Sequence, residues 1–475
     1  GTNDGMLHAF AADTGVERWA YVPSMVVGNM WRLADRQYAD KHTNYVNGSP
    51  ITSDVCTANC GNTYDASTPA SNPVWKTILV GGLNGGGRGY YALDITNPTS
   101  PSLLWEFTTS AGIGKVKDDD LGYTFGQAII TRKADGTWVV LVTSGYDNGT
   151  DSPVKSGGSF VANSPAGNGN GYLYVLNAGT GAIISKIATG VGTAASPTGL
   201  AKISGFNVEP AGNKTSYVYG GDLLGNLWRF DINAADTAAV GTGKALKFAT
   251  LFADAAASSP QPIMTTPQLG VIAGKRVVFI GTGKYLETAD LSTTQVQTQY
   301  AIKDDDAAAT LVNPRTTLVH QYLINNPDGT ATRIASGSAT AATATKDVDF
   351  FTGRGWFVDL PDSRERVNID AKLVLGTLLV PSIVPSSTEC SPGGSGWINF
   401  FDYKTGGAVT SPGISSAKYD STIVGINVLF IDGQPIVEVV TSTNPTPKKD
   451  PDVVFHATAV GFSGKRVLWR ELIPD

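Results

Sequence analysis

Short runs of alternating apolar and polar residues, each opened by a glycine-rich turn, recur along the chain. Three of them run into a Thr-Gly pair, which predicts the turn of a two-stranded hairpin. These copies end at Thr14-Gly15, Thr180-Gly181 and Thr405-Gly406, and a looser copy at 222–231 keeps the strand without the Thr-Gly pair. One hairpin cannot bury enough apolar surface to be stable, so the copies are expected to stack on one another. The pattern therefore predicts an all-β fold, and within that class a β-propeller.

The spacing of the strand–turn–strand units predicts about seven blades. They cover residues 1–21, 74–107, 121–186, 217–232, 262–302, 355–401 and 421–472. We expect one propeller domain over residues 1–475, with long loop insertions at 25–72, 147–168, 307–349 and 385–393. Loops this long are usually functional, so they are candidate binding surfaces. Because the first residues already lie within a repeat, we expect the C-terminal part of a longer protein, with its N-terminal region missing.

The composition is typical of a turn-rich β protein. The 475 residues include 55 glycines and 25 prolines spread between the apolar runs, and the formal net charge is −6. No basic stripe appears, which argues against nucleic-acid binding, because neutralisation of phosphates supplies most of that affinity. No run of about 18 apolar residues occurs, so the sequence predicts no transmembrane segment.

The sequence offers no pattern of catalytic residues. Its histidines, His8, His42, His320 and His456, match no metal-ligand spacing. Nucleophile-elbow and P-loop motifs are absent. The acid triplets at 118–120 and 304–306 are interpreted as solvated turns, because general acid–base chemistry needs two opposed groups in a cleft. We therefore predict that the protein is not an enzyme and has no catalytic residues.

Two segments have some features of a calcium loop, in which oxygen ligands alternate around a glycine at the sharp bend. The candidate ligands in the first segment are Asn207, Glu209, Asn213 and Thr215. Only Glu209 among them is charged, and calcium affinity rises with ligand charge, so Ca²⁺ would bind weakly there. The second segment offers Asp147 and Asp151, and an Asx-rich turn explains it equally well. No other cofactor is predicted.

Two of the three cysteines, Cys56 and Cys60, lie close together in a stretch rich in Ser, Thr and Asn. A short-loop disulfide formed in an oxidising compartment is the favoured interpretation. The alternative is half of a metal site, but no second cysteine pair or nearby histidine completes it. Cys390 is left without a predicted partner.

Several longer segments occur in a fixed order and resemble one family. They read NDGMLHAF (3–10), WAYVPS (19–24), VGGL (80–83), GRGYYALD (87–94), LGYTFGQ (121–127), GDLLGNLWRFD (221–231), GTGKYL (281–286), GWFVDLP (355–361) and GGSGW (393–397). Together they are similar to the C-terminal propeller domain of the PilY/PilC family of type IV pilus tip-associated adhesins and biogenesis factors.

The resemblance implies a modified seven-bladed, quinoprotein-like β-propeller. It also implies export through the periplasm and outer membrane of a Gram-negative cell to the pilus tip at the cell surface. Many members carry an aspartate-rich calcium loop just before the Gly-Asp-Leu segment. Here residues 207–215 hold that place, keep the glycine and lack the aspartates, so calcium-gated function is doubtful in this chain.

The function expected from this resemblance is a non-enzymatic pilus-tip protein that supports pilus assembly and adhesion through loops on a propeller scaffold. The expected partners are the minor pilins of the pilus and a host or surface receptor. Tyr64 and Tyr146 are candidate contact residues, because interfaces favour tyrosine anchors. The alternative function is a quinone-dependent dehydrogenase, which shares the strand and turn pattern but needs grouped acidic ligands. A purely structural assembly scaffold is a third possibility.

Overall fold

The computed structural model describes residues 1–61, 67, 69–149, 154–156, 159–161, 167–209, 213–235, 240–306, 310–326, 331–386, 393–409, 414–431, 434–442 and 453–454. These residues form strands numbered here β1 to β31 in chain order and a four-residue α-helix, α1 (Ser24–Val27). Short 3₁₀ turns occur at Met30–Ala34, Tyr38–Asp40, Pro69–Ser71, Thr288–Ser292 and Pro314–Thr316. The prediction of an all-β chain is confirmed.

By its internal contacts the chain divides into two compact units. Unit 1 contains Gly1–Gly220 and Trp228–Leu246, and unit 2 contains Gly221–Leu227 and Lys247–Asp475. The organisation of residues 1–475 as a single domain stays a prediction.

Unit 1 contains the first fourteen strands. They are β1 (Leu7–Phe10), β2 (Glu17–Tyr21), β3 (Ile51–Ala58), β4 (Val74–Gly82), β5 (Gly89–Asp94), β6 (Ser102–Thr108), β7 (Lys115–Lys117), β8 (Ile129–Arg132), β9 (Trp138–Thr143), β10 (Val154–Ser156), β11 (Ser159–Val161), β12 (Tyr172–Asn177), β13 (Ile183–Ala188) and β14 (Ile203–Glu209). Three further strands have residues in both units: β15 (Lys214–Gly221), β16 (Asn226–Asp231) and β17 (Lys244–Thr250).

Unit 2 contains the remaining strands. They are β18 (Gln268–Ile272), β19 (Lys275–Gly281), β20 (Thr298–Asp304), β21 (Leu311–Val312), β22 (Val319–Asn325), β23 (Thr332–Ser336), β24 (Gly355–Asp359), β25 (Lys372–Val374), β26 (Thr377–Pro385), β27 (Gly394–Asp402), β28 (Ile414–Tyr419), β29 (Ile423–Ile431), β30 (Gln434–Thr441) and β31 (Val453–Val454).

The core of unit 1 lies between mainly antiparallel sheets. One sheet has the order β3-β4-β5-β6-β7, and β13-β12-β9-β8 are consecutive strands of another. Within β9, Val140 and Val142 pack into one apolar cluster, while Val139 and Leu141 pack into a different one. Both faces of β9 are therefore buried, which explains why its sequence is a continuous apolar run instead of an alternating one.

The core of unit 2 is built on a long sheet with the strand order β18-β19-β20-β24-β22-β23-β28-β27-β26-β25. Strands β19, β24 and β27 contribute Val277, Phe279, Trp356 and Phe401 to one buried cluster. Most neighbouring strands are antiparallel, as hairpin connections require, but β22 runs parallel to β24.

The repeated Thr-Gly turn serves as a docking point for tryptophan in both units. The glycine has nearly the same left-handed φ in its three copies, +69° at Gly15 and +70° at Gly181 and Gly406. Trp105 of β6 packs on the turn at Gly181, and its indole nitrogen donates a hydrogen bond to the oxygen of Ala178 at 3.0 Å. Trp356 of β24 packs in the same way on Gly406. The first copy differs, since no atom lies within 4 Å of a Cβ placed on Gly15.

Three of the expected long insertions are not loops throughout. Strand β3 lies inside the 25–72 connection, strands β10 and β11 lie inside the 147–168 connection, and strands β21, β22 and β23 lie inside the 307–349 connection. Strand β3 has three consecutive polar residues at 52–54, so it carries no continuous apolar run. The prediction missed β3, β22 and β23 because only part of each is buried, and their polar positions resemble a loop.

Candidate functional site

The predicted calcium position lies at the hairpin of β14 and β15. The strand register places Asn207 opposite Thr215, and Glu209 ends β14. Thr215 Oγ1 donates a hydrogen bond to Oδ1 of Asn207 at 2.6 Å, and Nδ2 of Asn213 donates one to the oxygen of Ile130 at 3.4 Å. The amide oxygen of Asn207 is thus already engaged by the protein itself. Calcium binding here stays a prediction.

The second calcium candidate is only partly described. Asp147 has a left-handed φ of +53°, and its carboxylate lies 3.5 Å from the guanidinium of Arg88. Arg88 also donates a hydrogen bond to the backbone oxygen of Asp147 at 2.8 Å. Asp151 lies outside the described residues. Asp147, the described member of this candidate calcium site, is therefore already engaged in an ion pair with Arg88.

Of the two tyrosines expected to contact partners, Tyr146 is buried. Its exposed fraction is 6%, its backbone bridges to Tyr123, and its ring centroid lies 5.4 Å from that of Phe125. This burial argues against Tyr146 as a contact residue, because a partner could reach it only after local rearrangement. Tyr64 lies outside the described residues.

The structure joins Cys56 and Cys60 by a disulfide bond, with 5.6 Å between their Cα atoms. Cys56 does not lie in a loop, as the sequence suggested, but is a buried residue of β3. The disulfide therefore links the turn that directly follows β3 to the strand itself. Cys390 lies outside the described residues.

A cleft of about 330 Å³ opens beside this disulfide. Its lining comes from the end of β3, the turn between β8 and β9, and the turn between β12 and β13. The lining residues are Cys56, Thr57, Cys60, Gly61, Arg132, Asp135, Gly136, Thr137, Trp138, Asn177 and Gly179. Trp138 also packs on the core of unit 1, and Trp75 meets its ring edge-on at 5.9 Å between centroids.

Two opposite charges line the same cleft. The guanidinium carbon of Arg132 lies 5.6 Å from the centroid of the Trp138 ring, and its Nε donates a hydrogen bond to the oxygen of Gly136 at 3.3 Å. Asp135 accepts a hydrogen bond from the backbone N–H of Thr137 at 2.9 Å. Burial tends to raise the pKa of Asp135, but this hydrogen bond and the nearby charge of Lys133 lower it overall. Asp135 is therefore ionised at neutral pH.

The acid triplet at 118–120 is not simply a solvated turn. Nζ of Lys186 binds Asp118 at 2.9 Å and Asp120 at 2.6 Å, and lies 4.3 Å from the centroid of the Tyr172 ring. Burial lowers the pKa of Lys186, but its hydrogen bonds to the two carboxylates outweigh burial and raise it. The expectation of a solvated turn was wrong for these two acids, because Lys186 of β13, a strand of a different sheet from β7, reaches them.

Unit 2 contains a buried ionic network. Arg333 is fully buried and forms two hydrogen bonds of 2.9 Å with Glu365, which is buried as well. The guanidinium lies 3.6 Å from the centroid of the Trp397 ring, whose indole nitrogen donates to Asp362 at 2.9 Å. Ser382 donates a further hydrogen bond to Glu365 at 2.6 Å. These contacts stabilise both charges in the interior.

Among the residues that the structure describes, no three His, Cys, Asp or Glu side chains are grouped so that they could hold a metal ion. Within the same residues, no helix has the length and apolar character needed to cross a membrane.

The sequence did not predict the cleft. Its residues come from three separate segments, spread over 56–179, and none forms a recognisable motif with the others. The one local signal was the Cys56–Cys60 pair, which marks one wall. The aromatic and charged residues opposite it are brought there only by sheet packing.

The chain is similar to several known proteins. The family model for the PilY1 beta-propeller domain matches residues 1–333. A type IV pilus biogenesis factor PilY1 homolog of Xylella fastidiosa is 30% identical over 506 residues, covering 100% of this chain and 35% of that protein. The type IV pilus biogenesis factor PilY1 of Pseudomonas aeruginosa strain PAO1 is 30% identical over 445 residues, covering 86% of this chain and 34% of that protein.

A solved structure agrees with these relatives. The crystal structure of the Pseudomonas aeruginosa PilY1 C-terminal domain superposes with a TM-score of 0.64 at 25% identity, covering 94% of this chain and 92% of that one. This match and the family model confirm the predicted β-propeller. The chain spans about a third of the length of the curated relatives it matches. We conclude that the chain belongs to the PilY1 family and corresponds to its β-propeller domain.

Proposed function

We propose that this chain is the propeller part of a type IV pilus biogenesis factor that acts at the cell surface of a Gram-negative bacterium. The observation that carries the proposal is the family match over residues 1–333, together with 30% identity along the whole chain to a protein named for this role. Because the chain spans only about a third of that relative, the proposal concerns the part that the propeller plays within a longer protein.

The proposed role is non-catalytic. Its support is that the main charged clusters described above bind one another. Lys186 neutralises Asp118 and Asp120, and Arg333 neutralises Glu365. Charges satisfied in this way stabilise the fold, whereas general acid–base catalysis needs a proton-transferring group within reach of a substrate. A propeller fold by itself implies no reaction, since one fold supports many unrelated functions.

The finer proposal is that the propeller lies at the pilus tip, binds minor pilins and contributes to adhesion. It is supported by the architecture, in which sheets with buried cores leave their connecting segments at the surface to bind partners. The segments around Cys60 and around 147–168 are the candidates, because both are polar and follow strands that the core holds in place. Tyr146 is not included, since it is buried.

The decisive experiment is complementation in the bacterium that encodes the protein. A strain lacking the full-length gene would receive either the complete gene or a version without residues 1–475, and surface pili would be sheared and quantified. We expect pili only with the complete gene. Normal piliation without the propeller, although the truncated protein is made and exported, would refute the proposal.

A second measurement tests the location and the alternative chemistry. Gold-labelled antibody against the propeller should mark the ends of purified pili, and minor pilins should co-purify with the complete protein. Label spread along the pilus shaft would contradict the tip location. An absorbance spectrum showing one bound quinone per chain would instead support the dehydrogenase alternative and contradict the non-catalytic role.

A further inference from the structure

We propose that the cleft beside the Cys56–Cys60 disulfide binds a neutral saccharide. The inference deepens the proposed adhesive function, on which its biological use rests. The cleft combines an aromatic side chain, a carboxylate, a guanidinium and an amide within about 330 Å³. This volume lies at the lower end of the range of about 300–1,000 Å³ typical of small-molecule sites, and suits one or two sugar rings.

The aromatic part of the site is held firmly in place. Trp138 begins β9 and packs on the core, and its ring borders the cleft with the guanidinium carbon of Arg132 5.6 Å from the ring centroid. Trp75, which is 49% exposed, supports it edge-on. A sugar ring has a face of C–H groups that can pack on such a surface, and an indole provides a large contact area with few rotatable bonds to order.

The polar groups match hydroxyls better than they match an ion. Asp135 supplies acceptors and Arg132 supplies donors, and a hydroxyl group both donates and accepts. Asp135 already pairs with Lys133, whose Nζ lies 3.6 Å from its Oδ2, so a cation would have to compete with Lys133 and would be repelled by Arg132 as well. An anion would be repelled by Asp135. Because the two opposite charges line one small cleft, an uncharged ligand with several hydroxyls fits both of them.

The third polar group is oriented by its own turn. Oδ1 of Asn177 accepts hydrogen bonds of 3.0 Å from the backbone N–H groups of Gly179 and Thr180. These bonds fix the side chain and leave its amide nitrogen as the remaining hydrogen-bonding group. A ligand hydroxyl is a suitable acceptor for that nitrogen.

The opposite wall is also preformed. The disulfide closes the chain just after β3, and a Cβ placed on Gly179 would lie 3.4 Å from Cγ2 of Thr57, so the two walls already meet at one end of the cleft. A site that is rigid before binding loses less conformational entropy when the ligand enters. This favours measurable affinity for a ligand as small as a single sugar.

The test uses the purified chain and four methyl glycosides, those of glucose, galactose, mannose and N-acetylglucosamine, with inorganic phosphate as a charged comparison. Binding would be measured by saturation-transfer NMR and titration calorimetry. Asp135→Ala removes the exposed carboxylate, and Asp13→Ala, an exposed acid in the turn after β1, is the matched control. Trp138→Leu removes the aromatic surface, with folding checked by circular dichroism.

We expect saturable binding of at least one glycoside, weakened about tenfold or more by Asp135→Ala, since a hydrogen bond to a charged group is typically worth about that much. Asp13→Ala should bind like the unmodified chain. No binding of any glycoside up to about 10 mM, binding of phosphate alone, or equal binding by Asp135→Ala would overturn the inference. Because these measurements need no pili, their failure would leave the proposed pilus function standing.

Discussion

Replacing Gly181 with alanine should destabilise unit 1 far more than the same change at Gly15, although the two glycines hold the same place in the repeat. Both have a left-handed φ, +70° and +69°. A Cβ placed on Gly181 would lie 2.6 Å from Cγ of the buried Trp105, whereas a Cβ on Gly15 would meet nothing within 4 Å. Comparing the two variants therefore separates the free-energy cost of the left-handed backbone from the cost of the steric overlap with Trp105.

The two costs can be estimated separately. A left-handed conformation costs a residue with a Cβ roughly 1–2 kcal/mol, and this is the full expectation for Gly15→Ala. Forcing an extra carbon atom into a packed core typically costs roughly a further 1–3 kcal/mol. Non-bonded carbon atoms attract one another best at a separation of about 3.5–4.0 Å and repel one another when they are closer. Trp105 cannot easily move aside, because its indole nitrogen donates a hydrogen bond to the backbone oxygen of Ala178. Gly181→Ala should therefore cost about 2–5 kcal/mol in total.

The assay is urea unfolding of each purified variant, followed by near-ultraviolet circular dichroism, with hydrogen exchange of the β12–β13 peptides as a local readout. Gly15→Ala is the control because it lies in the same unit. Gly406→Ala repeats the test in unit 2, where a Cβ would lie 2.6 Å from Cδ2 of Trp356. Equal losses of stability at Gly15 and Gly181 would refute the reasoning, because the tryptophan contact would then contribute nothing.

Three further predictions concern other parts of the molecule. Arg333→Leu should cost about 3–5 kcal/mol in urea unfolding, because Glu365 is left buried without a counter-charge, and the double variant with Glu365→Leu should cost less. The hydrogen bonds of His8 to Glu17 and, with a smaller effect, to Asp4 raise the pKa of His8 above 6.5. The contribution of protonated His8 to the stability of the fold is therefore complete below pH 6.5 and is lost as the pH rises through the raised pKa. Melting temperatures from about pH 5 to 9 should therefore show His8→Gln approaching the unmodified chain at alkaline pH. Replacing both cysteines of the disulfide with serine should cost about 2 kcal/mol in unfolding titrations and abolish any effect of added reductant.

Much of the fold could be predicted because its signals are local. The predicted unit at 121–186 contains the apolar run that forms β9, and an uninterrupted run of that length fits a strand covered on both faces. The Thr-Gly turns were also visible, because the left-handed glycine is a requirement of the turn itself. Strands β3, β22 and β23 were missed, because their burial depends on neighbours far away in sequence.

The candidate site was harder to predict for the same reason. A tyrosine such as Tyr146, next to glycine and Asx residues, has the sequence context of an exposed loop, yet the packing of Phe125 and the bridge to Tyr123 bury it. Asp118 and Asp120 resemble a solvated turn until Lys186 is brought to them from 66 and 68 residues away along the chain. Such partners have no local signature.

The sequence by itself determined the all-β class, the repeated hairpins and the family resemblance, because alternation, turn residues and short motifs act over a few neighbouring positions. The tertiary structure decided which tryptophan docks on which Thr-Gly turn, which charges are paired, and that Trp138, Arg132 and Asp135 line one cleft with a disulfide. Those outcomes depend on the stacking of sheets, which brings together residues far apart in the chain and is set by the burial of whole strand faces.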